Sequence, residues 1–499
     1  MTSATMMSIE TPEWVRDAIF YQIFPDRFAR SERVPKPSNL EPWDCPCTRR
    51  GFKGGDLMGV VEHLDYLQEL GVTAIYFNPI FQSTANHRYH THDYYQVDPL
   101  LGGNRAFRIL LDEAHRRGMR IVLDGVFNHA SRGFFQFSHI VENGPASPYV
   151  DWFIVKEFPL RPYHAPKGQH GYEAWWNMPA LPKLNVASPA VREFLWDVAR
   201  HWIEFGADGW RLDVPAEIDD DEFWQEFRRR VRAANPDSYI VGEIWHEAHR
   251  WLRGDQFDAV MNYLFTRACL GYFVGDNLLR TEAAKCGYGQ IYTLDDRAFA
   301  DEIQRLLDLY PRPVTEVQYN LLGSHDTPRF KTLARGDTSA YRLVTLFQMT
   351  HPGAPAIYYG DEIGMEGGHD PECRRGFPWD QDRWDQDLLA YVQRCIALRK
   401  AHPALRRGDF AWLFVGHGVV AYGRRLEGET LLVVLNNGHH PVTVSVPVAG
   451  YLDDGVQLWD VWTDAAVTVG QGRIEGIQVP PRSGVVLATD RPTHEAVQV

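Results

Sequence analysis

Four carboxylates stand at the ends of short apolar, β-type runs: Asp124 after Met119 to Leu123, Asp213 after Gly209 to Leu212, Glu243 after Tyr239 to Val241, and Asp326 after Tyr319 to Leu322. Arg211 precedes Asp213 by two residues, His129 follows Asp124 by five, and His325 adjoins Asp326. One acid at a strand end is commonly a turn or capping residue. Four of them, in runs that could share one parallel sheet, call for chemistry. Converging carboxylates suit a metal site, or glycoside hydrolysis by a proton donor and a nucleophile. Phosphate chemistry would bring a glycine-rich cradle, and no GxxxxGK[ST] run is present.

These residues need elements to place them. Apolar periodicity predicts helices over 57–70, 105–117, 190–205 and 221–234. Strand-like runs fall at 18–22, 72–77, 119–123, 209–212, 239–241, 259–261, 319–322 and 356–359. Eight strands with helical patterns between most of them predict an α/β fold, a parallel (β/α)8 TIM barrel. In such a barrel the active site forms at the C-terminal ends of the strands. An open doubly wound sheet has the same order of elements and remains the alternative at this point. Two regions break the rhythm. Residues 129–186 are rich in aromatics and Pro, a long excursion of the kind that carries function. After His402-Pro403, alternating Val/Leu runs with Asn-Gly and Asp-Gly turns predict an antiparallel β-sandwich. The expected division is 1–128 for the first part of the barrel, 129–186 for an inserted domain, 187–401 for the rest of the barrel and 402–499 for the C-terminal β domain.

Composition narrows the partners. The 499 residues carry a formal net charge of −14, which disfavours a nucleic-acid binder and suits an uncharged substrate. Sixteen Trp, 22 Tyr and 26 Phe exceed what a core needs and point to flat-ring stacking on sugar. No apolar run approaches 18 residues, so no membrane span is expected. The first residues show neither a basic n-region nor an apolar h-region, and six scattered cysteines make no disulfide framework, so a cytoplasmic enzyme is expected. Cys45-Pro-Cys47 lacks a second paired motif and reads as two ordinary thiols.

Jointly and in order, Asp124 to His129, Gly209-Trp210-Arg211-Leu212-Asp213, Glu243-Ile244-Trp245-His246 and Ser324-His325-Asp326 resemble the four signature regions of the α-amylase family of retaining glycosidases. The resemblance covers essentially the whole chain. It implies an inserted B domain after the third strand and a C-terminal β domain. It also implies roles: Asp213 the nucleophile, Glu243 the general acid/base and Asp326 the third carboxylate, with Asp124, Arg211, His129, His246, His325 and the ring of Tyr89 around the substrate.

Leu181-Pro182-Lys183-Leu184-Asn185 is similar to the MPKLN signature of the cyclomaltodextrinase, neopullulanase and maltogenic amylase group, with Leu for Met. By the same resemblance Asp370 and Arg374 are substrate contacts. The implied reaction is hydrolysis of α-1,4-glucosidic bonds in maltooligosaccharides, cyclodextrins, starch or pullulan by double displacement, with transglycosylation. The alternatives are an α-1,6-active or exo-acting glucosidase, a glucanotransferase and, remotely, a non-catalytic glycan-binding relative. No cofactor is required. Calcium stays open: the group's Asn/Asp-rich calcium loop is basic here over 28–36, although Gly55-Asp56 is kept. No metal ligand is assigned. The group's extra N-terminal domain has no counterpart in this sequence, so a monomer, or a dimer through another surface, is expected, with a more open cleft.

Overall fold

The computed structural model describes residues 9–164 and 166–491. Eight strands carry the site: β1 (Phe20–Ile23), β2 (Ala74–Phe77), β3 (Arg120–Gly125), β4 (Gly209–Leu212), β5 (Tyr239–Gly242), β6 (Ala259–Val260), β7 (Tyr319–Leu321) and β8 (Ala354–Tyr358). They form one sheet in the order β6-β5-β4-β3-β2-β1-β8-β7, that of a (β/α)8 barrel. By packing, the chain divides into two compact units. The first holds 20–261 with 374–377, and hence β1 to β6. The second holds 14–19, 262–373 and, among the described residues, 378–491.

In the first unit β1 to β6 pair in parallel. Nearly every residue of these strands is buried, which is why their sequences read as continuous apolar runs without alternation. The helices show the opposite pattern. In Gly103–Arg116 the buried residues Ala106, Phe107, Leu110, Leu111 and Ala114 make one stripe at helical spacing. Asp220 caps the helix Asp221–Ala234 by accepting the Phe223 N–H at 2.9 Å. Gly209 lets β4 lie close to β5, since a Cβ there would meet Tyr239 O at 2.3 Å.

Three departures from the sequence reading have local causes. The helix expected over 57–70 is two helices, Leu57–Glu62 and Leu64–Leu70. His63 breaks it: its Nδ1–H donates to the Gly59 carbonyl at 2.7 Å, and its own N–H turns to Val60 O at 3.0 Å. An antiparallel hairpin, Phe81–Ser83 with Thr91–Val97, follows β2 and presents Tyr89 on its turn. Phe135–Asn143 is helical within the aromatic excursion, where no helix was expected.

The second unit contains β7 and β8, paired in parallel, and the C-terminal β-structure. There a six-stranded sheet (409–416, 419–426, 429–436, 483–488, 457–460, 466–468) faces a two-stranded one (442–447, 473–479). The strands pair antiparallel. Val419, Leu432, Val434, Val446, Ile474 and Leu487 form their shared core. All six cysteines are free thiols. Among the described residues no helix is long and apolar enough to cross a membrane.

Candidate active site

Register assembles the site. Asp124 on β3 lies opposite Arg211 on β4, which lies opposite Val241 on β5. Asp213 and Glu243 each stand one residue past the paired residues Leu212 and Gly242, so they occupy the same level on adjacent strands. Their main-chain N–H groups extend the ladder, Asp213 to Gly125 O and Glu243 to Leu212 O, both at 3.0 Å. Side chains at i and i+2 of a strand share a face. Arg211 and Asp213 therefore point the same way.

The buried Arg211 guanidinium ties the three carboxylates together. Its Nη1 donates to Asp124 Oδ1 at 2.9 Å, to Asp124 Oδ2 at 3.1 Å and to Asp213 Oδ1 at 3.1 Å. Its Nη2 lies 2.9 Å from Glu243 Oε2, an ion pair by distance without hydrogen-bond alignment. Its Nε contacts Met261 Sδ at 3.3 Å. Burial alone would lower the Arg211 pKa. The carboxylates of Asp124 and Glu243 and the phenols of Tyr76 and Tyr89 outweigh it and hold the group well above its usual range.

Asp124 is the most enclosed of the acids. Burial raises its pKa, opposed by the Arg211 charge and by hydrogen bonds from the hydroxyls of Tyr76 and Tyr89, each at 2.7 Å. Asn78 Nδ2 donates to the Tyr89 hydroxyl at 3.0 Å, and Gln22 Nε2 donates to Asn78 Oδ1 at 3.0 Å. The chain Gln22–Asn78–Tyr89–Asp124 fixes the tyrosine ring at the strand ends. Asp124 is thus a structural acid that orients Arg211 and Tyr89.

Glu243 is held from two further sides. The Val214 N–H donates to its Oε2 at 3.1 Å and Trp245 Nε1 donates to its Oε1 at 3.0 Å. Val214 makes its bond from a left-handed backbone, φ 37° and ψ 49°. A β-branched residue reaches that region only under strain. His129 is buried; burial, with a smaller contribution from His90, lowers its pKa to about 3, so the ring is neutral. Its imidazole stacks on Trp175, with centroids 5.0 Å apart and planes 11° apart.

The remaining expected residues divide as follows. Asp326, on the loop after β7, pairs with His325 Nε2 through Oδ2 at 3.1 Å; the histidine is buried and the carboxylate is 33% exposed. The Asp326 N–H donates to Ser324 Oγ at 3.2 Å. Arg374 packs its guanidinium 5.4 Å over the Phe24 ring, and its carbonyl accepts from Arg27 Nη1 at 3.2 Å. Asp370 is half-buried in the second unit. His246 turns outward: it is exposed, and its Nδ1 meets Glu247 O at 2.8 Å. The neighbouring Trp245 makes the contact to Glu243 instead. Tyr76, Asn78, Gln22 and the Val214 N–H were not singled out from the sequence. Only their nearness to the signature motifs could have flagged them.

The loop after β1 holds a cation of its own. Lys36 Nζ lies 2.8 Å from Asp56 Oδ2 and donates to Leu100 O at 3.0 Å. Asp56 also accepts the Ser31 N–H through Oδ2 at 2.9 Å and the Gly59 N–H through Oδ1 at 2.7 Å. These donors engage both oxygens of the Asp56 carboxylate.

Comparison with known proteins gives the context. A cyclomaltodextrinase from Geobacillus thermopakistaniensis (strain MAS1) is 44% identical over 443 residues, covering 88% of this chain and 72% of the relative. The crystal structure of Ttha1563 from Thermus thermophilus is 50% identical, with a TM-score of 0.92 over 96% of this chain and 100% of that one. A debranching enzyme from Nostoc punctiforme is 46% identical, with a TM-score of 0.87 over 96% of this chain and 100% of that one. Residues 22–386 match the α-amylase catalytic domain and residues 410–487 the neopullulanase-like C-terminal domain, and the chain belongs to the α-amylase family.

Proposed function

We propose that this glycoside hydrolase cleaves α-1,4-glucosidic bonds of maltooligosaccharides and related α-glucans by double displacement. Asp213 acts as nucleophile, Glu243 as acid/base, and Asp326 holds hydroxyls of the sugar being cleaved. The observation that carries the reading is the shared guanidinium. Asp213 and Glu243 are both within 3.1 Å of Arg211, from equivalent positions on adjacent strands. Retention needs carboxyls about 5–5.5 Å apart, whereas inversion needs about 6.5–9.5 Å to admit a water between them. Two carboxylates on one guanidinium, at a strand spacing of about 4.8 Å, favour retention.

In the first step Glu243 gives its proton to the glycosidic oxygen as the C1–O bond breaks, and Asp213 Oδ bonds to C1. The leaving chain departs neutral. In the second step Glu243 takes a proton from an incoming water, whose oxygen bonds to C1 and releases Asp213. A sugar hydroxyl in place of that water gives transglycosylation. The neutral His129 can accept or donate a single hydrogen bond to a hydroxyl, and Tyr89 offers the sugar its ring.

Similarity to the Nostoc debranching enzyme favours a second reading, cleavage of α-1,6 bonds, alone or beside α-1,4. Product analysis on maltotriose, β-cyclodextrin and pullulan separates the two. Proton NMR of the first products should show the α-anomer. An initial β-anomer would end the retaining assignment. Asp213→Asn should lose activity by two to four decades or more, the usual worth of such a group. Glu243→Gln should lose far more on maltotriose than on an aryl glycoside, whose leaving group needs little protonation. Equal losses on both would remove Glu243 from the acid role.

We further propose that Lys36 stands in for calcium at the loop after β1, supported by its place on Asp56 and Leu100 O. The cytoplasm is the proposed location, supported by six free thiols that an oxidising compartment would put at risk.

A further inference from the structure

Trp176 is 76% exposed, the most exposed large apolar side chain among the described residues. Exposing an indole costs free energy, and a tip loop could have placed it inward. Instead the backbone turns left-handed twice in succession, at Trp176 (φ 48°, ψ 27°) and Asn177 (φ 58°). Asparagine takes this region readily but a bulky tryptophan does not, so Trp176 carries strain of the kind found where a side chain must be presented. Main-chain bonds pin it: Trp175 N to Leu181 O at 3.0 Å, Asn177 N to Ala174 O at 2.9 Å and Met178 N to Trp175 O at 3.0 Å.

The exposed ring is one end of a stack. Trp176 lies 4.4 Å from Trp175 with planes 14° apart, and Trp175 lies on His129. The Trp175 indole N–H is buried and makes no hydrogen bond among the described residues, so stacking holds that ring. The stack runs out to solvent from a buried imidazole on the loop that follows β3 and Asp124. Along it lies a groove of about 500 Å³. Its other walls include polar groups: Gln169, Asn177 and the ion pair of Lys156 with Glu173 at 3.2 Å. A flat ring flanked by amides and charged ends matches a pyranose, with its C–H face for the ring and equatorial hydroxyls for the rim.

We infer that the Trp175–Trp176 groove binds an outer stretch of the α-glucan chain, one pyranose stacking on the free face of Trp176. The inference rests on the proposed glucan reading. It adds a contact away from the reacting bond, which long chains reach and short ones do not.

The test is chain-length dependence. In Trp176→Ala the ratio of kcat/KM on maltoheptaose to that on maltotriose should fall about tenfold, and Trp176→Tyr should restore most of it. The exposed ring leaves little to destabilise, and the melting temperature of each variant checks this. A second arm uses the Asp213→Asn protein. Maltoheptaose should quench its tryptophan fluorescence, and adding Trp176→Ala should weaken that binding about tenfold. A ratio and an affinity both within twofold of the parent would overturn the inference while leaving the glucan reading intact. Failure of the unaltered enzyme to cleave either oligosaccharide would sink the glucan reading instead.

Discussion

The Val214 N–H donates to Glu243 Oε2 at 3.1 Å, and Val214 does so from φ 37°, ψ 49°. The residue after Asp213, the proposed nucleophile, is thus strained in the act of holding Glu243. Glycine meets no steric cost in this region, whereas alanine keeps the Cβ that causes it. Val214→Gly should therefore be more stable than Val214→Ala by about 1 kcal/mol in urea unfolding. Both variants lose the two γ-methyls and differ only in the Cβ, the atom that makes the left-handed region costly. The looser Gly variant should also turn over more slowly than the Ala variant. An alanine variant as stable as the glycine one would mean that this conformation stores no strain.

Arg211 meets Asp124 and Asp213 with one nitrogen and faces Glu243 with the other. Lysine keeps the charge but has one nitrogen and no planar fork. Arg211→Lys should lower kcat by about 100-fold or more, the usual result of a ~1 Å misplacement of reacting groups. KM should change little, because the arginine touches carboxylates rather than sugar. A carboxylate oxygen left without its donor should cost roughly 1–3 kcal/mol of stability. Retention of kcat to within threefold would show that Asp213 and Glu243 are positioned without the shared guanidinium.

All eight barrel strands were legible because each is buried on both faces and so reads as an unbroken apolar run. The carboxylates were legible because they end those runs. Long-range hydrogen bonds were not. Asn78 and Gln22 are ordinary polar residues in their own segments, and their link to Tyr89 exists only once β1 and β2 pair. The His63 break is a side-chain bond that competes with the helix, invisible to apolar periodicity. Trp245 and His246 could not be told apart by sequence. A side chain leaving a strand end points inward or outward according to local backbone angles, and here the tryptophan meets Glu243 while the histidine meets solvent.

Lys36 gives a test of the metal question. Its side chain is 15% exposed, and its ammonium sits on the buried Asp56 carboxylate. With this cation built in, dialysis against EDTA should leave the melting temperature unchanged. Lys36→Ala removes a donor from a buried carboxylate and should cost roughly 1–3 kcal/mol. A melting temperature that falls on chelation and returns with calcium would overturn the lysine's role as the loop's cation.

Two buried histidines should contribute to the acid limb of stability. Burial, before any other cause, lowers both His129 and His351 to about 3. In the unfolded chain each should titrate near its ordinary value of about 6.5. Between those values the unfolded state binds protons that the folded state refuses. Stability therefore rises with pH across the window from about 3 to about 6.5, and is lost as pH falls through it. Near pH 5 each histidine should contribute a slope of about 1.4 kcal/mol per pH unit. His351 offers the cleaner test, because it packs against the rings of Phe265 and Phe347 and is not among the proposed site residues. Its Nδ1 meets the Pro352 carbonyl at 2.7 Å, a bond that a neutral amide can also make. His351→Gln should flatten the dependence of unfolding free energy on pH between 4.5 and 6 by about 1.4 kcal/mol per unit, whatever its effect on absolute stability. An unchanged slope would mean that His351 takes up its proton in the folded state.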